Sequence, residues 1–162
     1  MSEGNEPNVS NADGANDPND PNGDSIRARI KSGGSMAHLT ADLAVTLDED
    51  RPGMLARAIS CVSASGINID GYAEMNGVVH VLATDLDHTR QCLQNGGFKV
   101  VQQQQVVLVP VADEPGAAAR VFQRIAEAHI NVRYSYLATG NRLVIAADDP
   151  QKMLAAVSAA GG

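Results

Sequence analysis

Apolar and polar positions first fall into step where Leu43, Val45 and Leu47 alternate with Asp42, Ala44 and Thr46. A period of two puts neighbouring side chains on opposite faces and predicts a strand. The period then lengthens: Leu55, Ile59 and Val62 recur at helical spacing, and Gly66 supplies the left-handed residue that ends a helix. Ile67-Asn68-Ile69 opens a second strand, and Asn76-Gly77 predicts a hairpin into a third at Val78 to Ala83. A second helix from Leu86 to Gln94 carries Leu86, Cys92 and Leu93, and Phe98 to Val101 begins a fourth strand. With right-handed crossovers, this order predicts a ferredoxin-like α+β unit, βαββαβ, an antiparallel sheet with both helices on one face.

The pattern then repeats. "DRPGMLARAISCVSASGINID" runs from Asp50 to Asp70, and "DEPGAAARVFQRIAEAHINVR" begins at Asp113, 63 positions later. A gapless offset keeps Pro52/Pro115, Gly53/Gly116, Arg57/Arg120, Asn68/Asn131, Gly77/Gly140, Val81/Val144, Ala83/Ala146 and Asp85/Asp148, so one structural unit is used twice. The second copy has a strand at Val106 to Val111, a helix bearing Ala118, Phe122 and Ile125, and a last helix from about Pro150 to Ala159 with Met153, Leu154 and Val157. The chain stops at Gly162 without a fourth strand for this copy. Either its sheet has three strands or another segment completes it, and the alternating "SIRARIK" at Ser25 to Lys31 is the segment left over.

Asp-x-Pro-Gly suits a helix start, with Pro at the first helical position and Asp beside the positive end of the dipole. His129 stands where the first copy has Gly66, so the second helix ends in a different turn or bears about 1 kcal/mol for a non-glycine left-handed residue.

Composition changes the picture at the start of the chain. Of 162 residues 44% are hydrophobic, enough for one domain or two very small ones, yet the stretch from Met1 to about Gly34 is Asn, Asp, Gly and Pro with few large apolar side chains. We read residues 1–36 as a disordered acidic tail, residues 37–105 as the first repeat and 106–162 as the second. Met36 offers an alternative start of translation. Neither a secretory signal nor a run of about 18 apolar residues occurs, which points to the cytoplasm and away from a membrane. The net charge of −7 argues against nucleic acid, and aromatics at 3% argue against an RNA-binding sheet in particular.

Cys61 and Cys92 match no metal or redox spacing and read as free thiols. No nucleophile elbow, phosphate loop or metal-ligand cluster appears, so neither enzyme activity nor a cofactor is expected. His80 reads as a packed side chain, and His88 and His129 as solvent-facing.

The duplicated D-x-P-G and G-I-N-I stretches resemble the opening helix and second strand of ACT domains, small regulatory modules that bind amino acids or related metabolites. The resemblance spans about Leu39 to Ala160, in tandem, and is similar to stand-alone proteins built of two ACT repeats. It implies a non-catalytic regulatory protein whose ligand, an amino acid, sits between repeats. The rival reading is an interaction module or regulatory subunit of a metabolic enzyme with no ligand of its own. The unfinished second sheet also suggests a homodimer.

If the two copies join along their second strands, edges that need covering, the helix start of one meets the Ile-Asn turn of the other. The first pocket then combines Asp50, Arg51, Pro52, Gly53, Met54 and Leu55 with Ile130, Asn131 and Val132. The second combines Asp113, Glu114, Pro115, Gly116 and Ala117 with Ile67, Asn68 and Ile69. Free amides at the helix start suit a carboxylate, Asp50 an ammonium, and Asn131 either partner. Glu114 in place of Arg51 weakens the second pocket for an anion. The same residues also make sense as helix starts and turn-satisfying side chains with nothing bound. Tyr134, Tyr136 and Met75 line either a pocket or an oligomer contact.

Overall fold

The computed structural model describes residues 36–47 and 51–158. The predicted tail up to residue 35, its alternating 25–31 segment and Asp50 lie outside the described residues. Among the described residues six strands and four helices follow one another: β1 His38–Thr46, α1 Met54–Ala64, β2 Ile69–Met75, β3 Val78–Ala83, α2 Leu86–Asn95, β4 Lys99–Pro110, α3 Ala117–Glu127, β5 Val132–Ala138, β6 Arg142–Ala147 and α4 Pro150–Ser158. The α+β architecture is the one expected, with βαββα order in each half, but the strands form one antiparallel sheet, ordered β2-β3-β1-β4-β6-β5.

The two central strands each serve both halves. Residues 99–105 of β4 pair with β1, and Val107 to Pro110 pair with β6, so the separate strands expected at 98–101 and 106–111 are one. Gln102 to Gln105 broke the apolar pattern in sequence but not the ladder, because the backbone carries the pairing. Gln103 accepts from Arg90, Gln102 bonds Gln104, and Gln151 reaches Gln105. Reciprocally, His38 to Thr40 of β1 pair with Val106 to Leu108, the place a last strand of the second repeat would take. Leu39 accordingly packs in the second core while Leu43 packs in the first. The second repeat thus lacks a last strand of its own among the described residues, and the start of β1 stands in its place.

The gapless offset needs correction beyond the second strand. The first hairpin turns on Asn76 and Gly77, both with positive φ, whereas the second takes three residues, Thr139-Gly140-Asn141. From there the equivalent positions are 64 apart: Leu47 N donates to Gly77 O and Val111 N to Asn141 O, both at 2.8 Å. The helix-capping aspartates that correspond are Asp85 and Asp149, not Asp148; each accepts from an amide three residues on, at 3.0 and 2.9 Å.

Helices cover one face. Leu43, Val45, Val79 and Val81 meet Ala58, Val62 and Leu93, and Val107, Val109, Leu143 and Ile145 meet Val121, Ile125, Met153 and Val157. Each such valine, leucine, isoleucine or methionine side chain contributes about 1.5–3 kcal/mol on burial. The buried stripe of α3 is Ala117, Val121 and Ile125, a residue off the Ala118 and Phe122 expected, which are half-buried.

On the other face the sheet curls until its two edge strands meet. Thr139 N donates to Asp70 O at 2.7 Å, and a Cβ on Gly71 would lie 2.9 Å from Ala138 Cβ. The edges therefore meet by side-chain packing and this backbone hydrogen bond, without the ladder envisaged from sequence. Inside the curl Leu82, Val106, Leu108, Tyr136, Val144 and Ala146 make a third core.

Candidate functional site

Pro52-Gly53 sits at the centre of a turn before the helix and not in its first turn. Met54 N bonds Arg51 O at 3.2 Å and Gly53 has φ 92°, ψ −7°, the geometry of a type II turn with Pro then Gly at its centre. Glu114 to Ala117 repeat it, with Gly116 at φ 85°. The amide of Met54, expected to be free, is therefore occupied. Helix formation begins at Met54 and Ala117, each after an N-cap glycine that has no side chain to cap the helix.

Arg51, Gly53, Met54 and Leu55 line a cavity of about 630 Å³, closed by Leu47, Glu74, Asn76 and Gly77 of the hairpin in the same repeat. Pro52 is exposed beside it. Ile130, Asn131 and Val132 are not among its walls. Asn131 is exposed and donates to Asp148 Oδ2 at 3.3 Å, while Ile130 and Val132 pack against the second core. The hydrogen bond from Arg133, and then that from Asn131, hold the Asp148 carboxyl below its ordinary pKa. Asp113, Glu114, Pro115 and Gly116 are exposed and Ala117 is buried; Glu114 is ion-paired with Arg120.

The turn at Ile67, Asn68 and Ile69 lies where the curled sheet closes. It lines a cavity of about 690 Å³ with Ile59 and Ser63 of α1, Gly66, Asp70, Gly71, Tyr72, and Leu137 and Thr139 from the other repeat. Asp113 to Ala117 are not among its walls. Asn68 Nδ2 donates to Asp70 Oδ1 at 2.8 Å. Arg142 lies 3.8 Å from the same oxygen and fixes Thr139 through its carbonyl, 2.6 Å, and its hydroxyl, 2.9 Å. A carboxyl group, an amide and a hydroxyl thus converge on a space otherwise walled by isoleucine, leucine and tyrosine, an arrangement suited to a small cation-bearing molecule with an apolar part. Asp70, Tyr72, Leu137 and Thr139 went unselected in sequence. Asp70 adjoins the Ile-Asn motif and was within reach; Leu137 and Thr139 join only through the curl.

Behind this cavity lies a buried polar cluster. Asp42, fully buried, accepts from Tyr134 Oη at 2.9 and 3.2 Å and from Tyr136 Oη at 3.0 Å. His80, also buried, places Nδ1 3.5 Å from Asp42 Oδ2 and its ring 4.0 Å from that of Tyr134. Burial above all, and then the charge of Asp42, raise the pKa of both tyrosines. Asp42 lies on the sheet face opposite Leu43 and Val45, and the curl buries that face too. His80 is packed as expected, and His88 and His129 are exposed.

No protein-family model matches the sequence, and no curated protein does. Similar solved structures include protein BT0572 from Bacteroides thetaiotaomicron, with a TM-score of 0.64 and 24% identity over 76% of this chain and 89% of that one. The ligand-free regulatory subunit of aspartate kinase from Thermus thermophilus has a TM-score of 0.57 at 17% identity, covering 78% of this chain and 96% of that one. A structure of aspartokinase alpha and beta subunits has a TM-score of 0.55 at 18% identity, covering 76% and 93%. At such identities the likeness is one of fold, the α+β fold that these structures share.

Proposed function

We propose that the chain is a non-catalytic regulatory protein that binds an amino acid at the closing seam of its sheet. The observation that supports this reading is the meeting of Asn68, Asp70 and Thr139 around an apolar-walled cavity formed by both repeats. Asp70 takes the ammonium, the Asn68 amide and Thr139 hydroxyl take the carboxylate, and Ile59, Ile67 and Leu137 receive the side chain. The similarity to the regulatory subunit of aspartate kinase supports the reading.

Arg51 to Leu55 and Ile130 to Val132, not joined within one chain, would form the other site only in a homodimer. We place the repeats at 37–105 and 106–162 and the protein in the cytoplasm. No described helix is long and apolar enough to cross a membrane.

Thermal-shift measurements against each proteinogenic amino acid test the proposal, because a ligand that binds only the folded state raises the melting temperature by mass action. One amino acid should raise it, and Asp70→Ala should abolish the rise. A rise unaffected by Asp70→Ala but lost in Asn131→Ala would move the site to the dimer pocket. No rise with any of them would favour the second reading, an interaction module for an enzyme. That reading has its own support in Leu137 and Tyr72, 66% and 51% exposed on adjoining sheet edges.

A further inference from the structure

The two cysteines, 31 residues apart in sequence, meet where α1 packs on α2. Cys61 Sγ donates to the Cys92 carbonyl at 2.8 Å. Ser65, one turn beyond Cys61, sets its hydroxyl 2.7 Å from Cys92 Sγ and 3.3 Å from the Cys61 carbonyl. Each thiol is thus a near neighbour of the other residue, and both are half-buried, not sealed. The surroundings make room for them: a Cβ on Gly96 would stand 3.1 Å from Cys61 Sγ. Arg57, one turn before Cys61, also spans the two helices, donating to the Gly96 carbonyl at 3.4 Å. The thiolate is the form that attacks a disulfide.

We propose that Cys61 and Cys92 form a modification site that closes to an intramolecular disulfide on exchange with a small disulfide such as oxidised glutathione. One protein thiolate attacks a sulfur of glutathione disulfide, expelling one glutathione thiolate and leaving a mixed disulfide. The second protein thiolate then attacks the protein sulfur of that adduct and expels the second glutathione. The protein loses two electrons and two protons, and two glutathione molecules gain them. The new bond ties α1 to α2 around the β2–β3 hairpin. Because α1 also contributes Ile59 and Ser63 to the seam cavity and Met54 and Leu55 to the other, the oxidised protein holds one wall of both in place.

The test treats the reduced full-length chain with oxidised glutathione and follows it by intact mass, non-reducing electrophoresis and melting. The mass should fall by two hydrogens with no retained adduct, the protein should stay monomeric on the gel, and digestion should yield one peptide pair joining Cys61 to Cys92. Closing a loop of this length should raise the melting temperature by about 5 °C or more, reversibly on reduction. Cys61→Ser should instead hold glutathione on Cys92. Stable adducts on both cysteines of the wild type, disulfide-linked dimers, or thiols that stay unreacted would each overturn the proposal, and the wild-type measurement decides this even if the variant fails to fold. None of these outcomes depends on amino-acid binding.

Discussion

Tyr136 donates its hydroxyl to Asp42 across 3.0 Å, joining β5 of the second repeat to β1 of the first over 94 residues of sequence. With Tyr134 on the same carboxyl group, the bond crosses the interior of the curled sheet and helps hold its edges together. Tyr136→Phe leaves Asp42 with Tyr134 and should cost about 1–2 kcal/mol in denaturant unfolding. Asp42→Ala strands the buried Tyr136 hydroxyl and the partly buried Tyr134 hydroxyl and should cost about 3 kcal/mol. The double variant should lose less than the sum, and strict additivity would show that the pair does not act together.

The same cluster sets behaviour in alkali. The folded pKa of Tyr134 and Tyr136 lies above the ordinary 10.0, so their neutral forms stabilise the fold fully below that pH. As pH rises further the unfolded chain ionises first and stability falls. In a spectroscopic titration, tyrosinate absorbance from these two residues should appear together with loss of circular dichroism. The Tyr134→Phe, Tyr136→Phe double variant should lose that coincidence; ionisation of both tyrosines in the intact fold would contradict the packing.

Gly71 is the narrow point of the seam. An added Cβ would lie 2.9 Å from Ala138 Cβ and 3.1 Å from Ala138 Cα, and its neighbour Tyr136 stands 3.3 Å away. Gly71→Ala should therefore destabilise by about 1–3 kcal/mol through overpacking and, if the seam binds a ligand, weaken binding. Equilibrium unfolding and the thermal-shift assay read the two effects separately.

His129 ends α3 at φ 52°, where Gly66 ends α1 at φ 74°. The chain keeps the left-handed turn and accepts its strain. His129→Gly should stabilise the protein by about 0.5–1 kcal/mol in thermal or chemical unfolding, whereas Gly66→Ala should cost a similar amount.

The strand and helix order, the duplication and the helix-facing cores were legible in the chain because each depends on local periodicity. Leu43 and Val45 must share a face, and Leu55 and Val62 must share another, wherever the rest of the protein goes. The resemblance to ACT repeats led to the same α+β fold. Three things were not legible. The glutamine run hid the continuity of β4, since strand pairing is a backbone property that polar side chains tolerate. A one-residue difference between the hairpins broke the simple offset, because turn length changes register without disturbing composition. The curl of the sheet mattered most. Local alternation records that Asp42 lies opposite Leu43 but not whether its own face meets water or Tyr136, since that depends on where β5 ends up. For the same reason Ile67-Asn68-Ile69 could be picked out as a turn, while its neighbours Leu137 and Thr139 were decided only when the two edges of the folded sheet closed on each other.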